Sequence, residues 1–218
     1  MTKNVVIMAA NGQISRIVAQ RILNEERFND VHLTLFLRKQ ARLAALADNP
    51  RVTLIEGSLD SADDVAGAMK DQDLVFVGVV DHGADNRQTK NVIAGMKLAG
   101  VKRVVYTNVL GIYDEVPGKF GAWNKESVGS GLQTALHSDQ LLAQSGLTYT
   151  TLRLPWLNDR DEVKYTVTHK GEQYVGVSGS RQSIADVVLK IVAEPSFAAN
   201  DSIGIADPAT QGSDRPVY

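Results

Sequence analysis

The chain has 218 residues, 23 lysines and arginines against 25 aspartates and glutamates, and a formal net charge of −2. This length favours one large α/β domain, residues 1–218, over two small ones. With 44% hydrophobic and 22% charged residues, the chain can bury a sizeable core. Cysteine is absent, which excludes disulfides, thiolate metal sites and cysteine nucleophiles. A near-neutral charge without a dense basic run argues against nucleic-acid binding.

Neither a membrane span nor a secretory signal is predicted. The longest apolar candidates are Val5 to Ala10 and Leu74 to Val80, well short of the roughly 18 apolar residues of a span. Lys3 is followed by six apolar residues before Asn11, fewer than the about 7 to 15 of a signal sequence. We therefore expect a cytoplasmic protein without a membrane partner.

Short β-rich runs alternate with helix-length amphipathic segments over residues 1–154, which is typical of a parallel sheet covered by helices. The strand candidates are Val5 to Ala10, Val31 to Leu37, Val52 to Glu56, Leu74 to Val80, Arg103 to Asn108 and Thr148 to Leu154. Apolar faces with helical spacing lie between them: Ile14, Ile17, Val18 and Ile22; Leu43, Leu46 and Ala47; and Val92, Ile93, Met96 and Ala99. Gly100 is placed to end the last of these helices. The sequence thus predicts an α/β fold with a doubly wound parallel sheet.

Residues 155–218 are predicted to form a small C-terminal lobe on the substrate side. Its expected elements are strands at Lys164 to Thr168 and Tyr174 to Val177, a helix from about Ser183 to Ala193, a strand near Ser202 to Ala206, and a surface extension from Pro208 to Tyr218. The stretch from Gly111 to Gly131 contains Pro117 and five glycines. It is predicted to be an irregular loop that can close over a ligand.

The segment after the first strand is predicted to be a phosphate-binding turn at the start of a helix, where backbone amides and the helix dipole face an anion. Gly12 is the expected close-approach residue. Ala9 and Ser15 replace the outer glycines of the Gly-x-x-Gly-x-x-Gly spacing, so Ala9 is expected to avoid positive φ and Ser15 to pack closely. The predicted contacts are Ala10, Asn11, Gly12, Gln13 and Ile14. The alternative is an ordinary strand-helix turn without a ligand.

Six motifs follow one another along the chain. They are Ala9-x-x-Gly12-x-x-Ser15, Leu37-Arg38-Lys39, Glu56 to Asp60, Val101 to Val105, Ser145 to Leu157, and Ser180 to Val187. In this order they resemble the atypical short-chain dehydrogenase superfamily, in its NmrA-like, NAD(P)H-binding branch of small Rossmann proteins. The resemblance implies a Rossmann fold and a nicotinamide dinucleotide. NmrA-like relatives include regulators that bind NADP without turnover and act through a protein partner.

The end of the second strand indicates which dinucleotide is bound. An acidic residue there favours NAD, but Asp30 precedes the strand and so lies at the wrong edge. Arg38 and Lys39 follow it instead, and a guanidinium can hold a 2′-phosphate through two hydrogen bonds. NADP is therefore predicted, with NAD as a possibility. The alternative is that Arg38, Lys39 and Arg42 form a solvated helix start.

The resemblance implies further cofactor contacts, at Ser58, Leu59, Val77, Gly78, Val79, Thr107 and Pro155. Ser58 stands where the family often carries the aspartate of Gly-Asp-Leu, near the adenine amine. A hydroxyl and a backbone amide are expected to serve that edge with less discrimination.

The catalytic pair of typical short-chain dehydrogenases, a tyrosine followed by a lysine one helical turn later, is missing. Its positions fall near Gly131 and Ala135, so tyrosine-driven carbonyl reduction is not expected. Thr107 and Asn108 are predicted to hydrogen-bond the carboxamide or a substrate carbonyl, unless they cap the strand. His137 is predicted to stand in for the lysine, the alternative being a solvated surface histidine.

Two further groups have alternative interpretations. The run Asp81 to Asp85 suits a loop that caps the next helix better than a metal site, and no metal is predicted. Tyr113, Phe120, Trp123 and Trp156 are candidates for a flat slot that takes an acceptor, or for loop packing.

Two functions remain open. The first is an NADP(H)-dependent oxidoreductase that passes hydride to a small-molecule acceptor such as a quinone or carbonyl compound, since the cofactor itself carries that chemistry. The second is a non-catalytic NADP(H) redox sensor that acts through a protein partner. A nucleotide-sugar epimerase is disfavoured, because the chain is short after Pro155 and lacks the tyrosine and lysine.

Overall fold

The β-rich runs of the sequence form strands in the computed structural model, which describes residues 3–218. The strands are β1 (Lys3–Met8), β2 (Val31–Leu37), β3 (Val52–Glu56), β4 (Leu74–Val77), β5 (Arg103–Val109), β6 (Thr148–Leu154), β7 (Trp156–Asn158), β8 (Thr166–Thr168), β9 (Ser178–Ser180) and β10 (Asp201–Ala206). The α-helices are α1 (Gln13–Asn24), α2 (Ala62–Ala68), α3 (Arg87–Ala99), α4 (Gly118–Val128), α5 (Gly131–Gln144) and α6 (Arg181–Ala193). Short 3₁₀ segments lie at Glu26–Phe28, Gln40–Leu46 and Pro208–Thr210.

Eight strands form one sheet in the order β3-β2-β1-β4-β5-β6-β10-β8. Neighbouring strands are parallel except β8, which runs antiparallel to β10. The chain builds outward from β1 to β3 and then returns to place β4 on the other side of β1. Such a reversal opens a crevice at the carboxyl ends of the strands, where ligands bind in open α/β sheets.

Helices cover both faces of this sheet. Val5 and Ile7 of β1 pack into the cluster that contains buried residues of α1 and α6. The intervening Val6 and Met8 pack with α2, α3 and α5 on the opposite face. Because successive strand residues point to opposite faces, a strand buried on both sides has a continuous apolar sequence. The predicted doubly wound parallel sheet is confirmed.

Several predicted boundaries shift. The bounds of β2, β3 and β6 are as predicted, whereas β1 ends at Met8 and β4 at Val77, and β5 extends to Val109. The strand predicted at Tyr174 to Val177 is wrong, since the extended segment is β9. Gly176 has φ +92, which a regular strand does not permit.

The irregular loop predicted for Gly111 to Gly131 is wrong over its second half, which contains α4. Its glycines bound the helix rather than loosen it, since Gly118 (φ +67) is its first residue and Gly129 (φ +57) follows its last. Inside the helix, a Cβ on Gly121 would lie 1.9 Å from the Val116 oxygen. Glycine is therefore needed there for close approach.

The tail beyond Pro208 is not a free surface extension. Thr210 is buried, and its hydroxyl accepts hydrogen bonds from the N–H groups of Val177 at 2.9 Å and Ser178 at 3.2 Å. The Val217 N–H donates to the Ser178 hydroxyl at 2.8 Å. The tail thus fastens onto β9. Over residues 3–218, no helix is long and apolar enough to cross a membrane.

A buried ion pair fixes the segment that follows β5. The Arg153 side chain is fully buried, that of Glu115 is 6% exposed, and Nη1 of the arginine lies 2.7 Å from Oε1 of the glutamate. Glu115 also accepts hydrogen bonds from the N–H groups of Gly111 and Tyr113, at 3.0 and 2.9 Å. One carboxylate therefore joins β6 to the turn after β5.

Glu115→Gln is expected to lower the free energy of unfolding by about 3 kcal/mol, because it leaves the buried Arg153 charge uncompensated. Urea unfolding measures the loss. The control is Asp114→Asn, which breaks the neighbouring exposed pair with Lys125 (side chains 83% and 67% exposed) and should shift the midpoint little. Equal midpoints for the two variants would contradict this role of Glu115.

Candidate dinucleotide site

The turn between β1 and α1 presents the amino end of a helix at the sheet crevice. Gly12 precedes α1 with φ −62 and ψ 152, and it has no side chain to cap the helix. The Gly12 N–H donates to the Ala9 oxygen at 2.9 Å, and the Arg16 N–H to the Gly12 oxygen at 2.9 Å. The first amides of α1 are thus left for an anionic ligand.

Ala9 does not behave as predicted. Its φ is +59, in the left-handed region that the sequence analysis expected it to avoid. The turn requires this conformation at the position where a glycine commonly stands, and alanine adopts it at a cost of about 1 to 2 kcal/mol. The hydrogen bond from the Gly12 N–H to the Ala9 oxygen, at 2.9 Å, closes the turn in this conformation.

Close packing of β1, β4 and α1 explains the other small residues. Ser15 is fully buried, as its close packing predicted, and a Cβ added to Gly78 would lie 2.0 Å from its hydroxyl oxygen. A Cβ on Gly12 would lie 3.3 Å from the Ala9 oxygen and 3.4 Å from the Gly78 oxygen. The two glycines therefore keep the crevice narrow.

A pocket of about 240 Å³ opens beside this turn. It is lined by Ala9, Asn11, Phe36, Leu37, Arg38, Lys39, Arg42, Gly57, Ser58, Leu59, Asp60, Val79 and Gln88. Arg16 links its walls, because Nη2 donates to the Asn11 side chain at 2.6 Å and to the Arg42 backbone oxygen at 3.3 Å. The predicted residues Asn11, Arg38, Lys39, Ser58, Leu59 and Val79 meet in this pocket.

The charge of the pocket is basic at the end of β2. Arg38, Lys39 and Arg42 are exposed around it. Glu56, at the end of the neighbouring strand β3, accepts a hydrogen bond from the Gln40 N–H at 2.9 Å. Asp30 lies at the opposite edge of the sheet, where its backbone oxygen accepts a hydrogen bond from the Lys3 N–H at 2.9 Å.

Among the lining residues with charged or amide side chains, three are missing from the predicted cofactor contacts: Arg42, Asp60 and Gln88. Arg42 could have been predicted from the sequence, because it lies four residues after Arg38, at the start of a predicted helical segment. No sequence pattern predicts Gln88 there, because the course of the loop between β4 and α3 places the first turn of α3 beside the pocket. Asp60 is brought there by the segment after β3.

At the opposite end of the crevice, Thr107 and Asn108 lie near the carboxyl end of β5, 5% and 1% exposed. The Asn108 amide nitrogen donates to the Ala135 oxygen at 2.8 Å, and its amide oxygen accepts from the Val109 N–H at 2.8 Å. The amide nitrogen thus holds β5 to α5, while the amide oxygen bonds within β5. Thr107 points to the other face of the sheet.

His137 lies on the exposed side of α5, about 200° around the helix from the buried Ala135. Its Nδ1 is 2.8 Å from the Asn86 amide oxygen, while the Asn86 amide nitrogen donates to the Thr134 oxygen at 3.1 Å. This geometry fits a surface histidine better than a substitute for the lysine. Its contact with the nicotinamide ribose stays a prediction.

The run Asp81 to Asp85 caps α3, as the favoured interpretation predicted. Asp81 is 1% exposed, and its carboxylate accepts from the Thr89 N–H at 2.9 Å, the Thr89 hydroxyl at 2.8 Å and the Gly83 N–H at 3.0 Å. In the described part of the chain, no three His, Cys, Asp or Glu side chains group as metal ligands.

Three of the four aromatic candidates come together. The ring centroids of Trp123 and Trp156 are 4.8 Å apart, those of Phe120 and Trp123 are 5.7 Å apart, and the Trp156 indole N–H donates to Asn124 at 2.9 Å. They join α4 to β7.

Tyr113 lies apart from them. Its hydroxyl donates a short hydrogen bond to the buried Asp139 carboxylate, and the Lys170 ammonium lies 4.7 Å from its ring centroid. Burial raises the pKa of the Tyr113 phenol above its usual range, and the hydrogen bond to Asp139 raises it further. This phenol stays protonated at neutral pH.

Comparison with known proteins identifies the family. A family model described as NAD(P)H-binding matches residues 9–195. The chain belongs to the NAD(P)H-binding family. A search of curated proteins found no match.

Among solved structures, this NAD(P)H-binding protein is similar to a short-chain dehydrogenase/reductase from Veillonella parvula in complex with NADP, with 27% identity, a TM-score of 0.91 and full coverage of both chains. A Rossmann-fold NAD(P)-binding family protein from Shigella flexneri is 30% identical, with a TM-score of 0.81 and full coverage of both. An anaerobillin reductase from Escherichia coli, 18% identical, shares the fold with a TM-score of 0.78, over 97% of this chain and 100% of that one.

Proposed function

We propose that this NAD(P)H-binding protein is an NADP(H)-dependent oxidoreductase that passes hydride to a small acceptor such as a quinone or carbonyl compound. The observation that carries the proposal is the basic group formed by Arg38, Lys39 and Arg42 around the pocket at the end of β2. A 2′-phosphate is the group that such a cluster recognises and that distinguishes NADP from NAD. The similar protein from Veillonella parvula is described with NADP.

The residues present fit a dinucleotide. The uncapped amino end of α1 offers backbone N–H groups for the pyrophosphate. Glycines at positions 12 and 78 let β1, β4 and α1 pack closely at the turn, where the backbone has to approach the ligand. The Ser15 hydroxyl is buried next to Gly78 and has no hydrogen-bond partner within residues 3–218, so a polar group at this turn remains to be satisfied.

NADPH, when bound, supplies the hydride. The chain then has to position the nicotinamide and the acceptor, and Thr107 at the end of β5 and Pro155 after β6 are the contacts we assign to the nicotinamide end. The Asn108 side chain has an indirect role, because it holds α5 against β5 through its hydrogen bond to the Ala135 backbone oxygen. The proton for the reduced acceptor comes from solvent in this scheme, because the Tyr113 phenol already donates to Asp139.

The catalytic rate is expected to change by less than about threefold between about pH 6 and 9, because no tyrosine with a depressed pKa serves as the acid. The pKa of the Tyr113 phenol is raised. The phenol therefore stays protonated over this pH range and adds no pH dependence to the rate. Tyr113→Phe should retain turnover within about threefold. It should also lower the unfolding free energy by about 1 to 3 kcal/mol, because the buried Asp139 loses a donor.

The measurements are kcat for NADPH oxidation with a quinone across this pH range, and urea unfolding of the same variants. His137→Ala is the companion variant, and a changed pH profile in it alone would assign that histidine a contact with ribose or substrate. Loss of turnover in Tyr113→Phe with unchanged NADPH affinity would make the loop tyrosine the acid and refute solvent protonation.

A redox sensor is the second candidate, and the absence of a tyrosine and lysine at Gly131 and Ala135 favours it. A panel of quinones separates the two functions. Steady NADPH oxidation supports the enzyme. Tight NADPH binding without turnover, together with a protein partner whose affinity depends on the oxidation state of the nucleotide, supports the sensor.

A further inference from the structure

In the segment after β3, the polar groups of Ser58 are already engaged in local hydrogen bonds. Ser58 stands where the family often has an aspartate, and its backbone N–H donates to the Asp64 carboxylate at 2.9 Å. Its hydroxyl oxygen accepts from the Asp60 N–H at 3.2 Å. Because Asp64 already engages the Ser58 N–H, that amide is not free to bind the adenine edge, and the contact predicted for Ser58 stays a prediction.

Gln88 enters the same pocket from the first turn of α3. Its amide nitrogen donates to the Asp60 carboxylate at 3.2 Å. The Asn91 amide nitrogen, one turn further along α3, donates to the Leu59 oxygen at 2.9 Å. Two side chains of one helix thus hold the segment after β3, and Gln88 is half-buried between this segment and the pocket.

The chemistry of this contact fixes the orientation of the glutamine amide. An ionised carboxylate only accepts hydrogen bonds, so the NH₂ group of Gln88 has to face Asp60. The amide oxygen, on the other branch of the same planar group, is then the polar atom left for a ligand. Rotating the amide by 180° would place two acceptors against each other and remove the hydrogen bond.

We propose that Gln88 is the residue that recognises adenine through its 6-amino group, with the amide oxygen as acceptor, and that Asp60 is a positioning residue that holds this orientation. The proposal rests on the proposed function only in assuming that the pocket takes the adenosine end of the dinucleotide. In this proposal, Gln88 and Asp60, which lie on separate segments, discriminate adenine from other bases, a role that Ser58 does not fill.

A base with an oxo group at position 6, such as hypoxanthine, is the discriminating probe. Its oxygen would face the Gln88 oxygen, and a missing hydrogen bond at a half-exposed site weakens binding by roughly tenfold. We therefore expect the wild type to bind NADPH roughly tenfold more tightly than the hypoxanthine analogue of NADPH.

Three variants test the two roles by titration of intrinsic tryptophan fluorescence with both nucleotides. Gln88→Leu should lower the affinity for NADPH and bring the ratio of the two dissociation constants near one. Asp60→Asn should keep the NADPH affinity but also lower the ratio, because an asparagine accepts either orientation of the Gln88 amide. Arg38→Ala, the matched control, should weaken both nucleotides and leave the ratio unchanged.

The outcomes separate this inference from the proposed function. A wild-type ratio near one, or a ratio unchanged in Gln88→Leu while NADPH still binds, overturns the role of Gln88 and leaves the proposed function intact. A ratio unchanged in Asp60→Asn overturns the positioning role. A wild type that binds neither NADPH nor NADH overturns both the proposed function and the inference.

Discussion

Arg38→Asp is expected to weaken NADPH binding by roughly 100-fold while leaving NADH affinity the same or higher. The exposed Arg38 guanidinium lies in the pocket at the end of β2, where a 2′-phosphate would receive two charge-assisted hydrogen bonds. Hydrogen bonds to charged groups contribute about 1.5 to 3 kcal/mol, and about 2.8 kcal/mol corresponds to 100-fold. Lys39 and Arg42 remain, so the loss is not total.

NADH gains from the same change. An aspartate at the end of the second strand can accept hydrogen bonds from the 2′- and 3′-hydroxyls of the ribose, which is how NAD-specific folds select their cofactor. Calorimetric titration of both nucleotides measures the switch. Arg27→Asp is the control with the same change of charge, because Arg27 lies before β2 at the opposite edge of the sheet.

The control variant separates local from long-range effects. If Arg27→Asp lowered the NADPH affinity as much as Arg38→Asp does, the cause would be the change in net charge and not the loss of a local contact with the 2′-phosphate. Equal losses of NADPH and NADH in Arg38→Asp would point to damaged folding. Unchanged NADPH affinity would place the 2′-phosphate elsewhere and remove the main support for the proposed cofactor preference.

The sheet could be predicted from the sequence because its strands are buried on both faces. Val31–Leu37, Val52–Glu56 and Thr148–Leu154 have the predicted bounds, since a continuous β-rich run ended by polar or small residues leaves little freedom in where the strand stops. The predicted ends of β1 and β4, Ala10 and Val80, lie beyond the observed ends, Met8 and Val77, for a physical reason. Ala9 and Ala10 continue the apolar run of β1 into the turn, as Gly78, Val79 and Val80 do after β4, and composition does not show where the backbone leaves the strand.

The errors concern residues whose role depends on distant partners. Gly118 and Gly129 read as flexibility along the chain but bound a helix, and Gly121 meets a neighbouring carbonyl. The pairing of Glu115 with Arg153 joins residues 38 positions apart. No local pattern predicts such a contact.

The candidate site shows the same division. Gly12, Arg38 and Ser58 follow strand ends and could be placed by counting from them, because the carboxyl ends of parallel strands share one edge of the sheet. Gln88 and Asp60 approach each other only when α3 packs on the segment after β3. Sequence spacing does not encode that approach.

Gly12→Val is expected to weaken NADPH binding by at least about 100-fold while the protein stays folded. Gly12 has φ −62 and ψ 152, which valine adopts without backbone strain. The added Cβ would nevertheless lie 3.3 Å from the Ala9 oxygen and 3.4 Å from the Gly78 oxygen. Both contacts are tight, so the turn has to open by a few tenths of an ångström, at a cost of about 1 to 3 kcal/mol.

Either response of the turn harms phosphate binding. If the turn opens, the first amides of α1 move away from the position that a pyrophosphate needs. If it does not, the two valine methyl groups extend over the amino end of the helix, where the backbone has to approach the ligand closely. Gly12→Ala should give a smaller loss, because it adds only the Cβ.

The control for this variant is Gly67→Val in α2, where an added Cβ meets no atom within 4 Å. It should bind NADPH like the wild type, and circular dichroism with urea unfolding shows whether each variant is folded. The proposed function places the pyrophosphate at the turn between β1 and α1. A folded Gly12→Val that still binds NADPH tightly would therefore show that the dinucleotide binds elsewhere. Arg38 would then no longer face the phosphate, and the preference for NADP would have no structural basis.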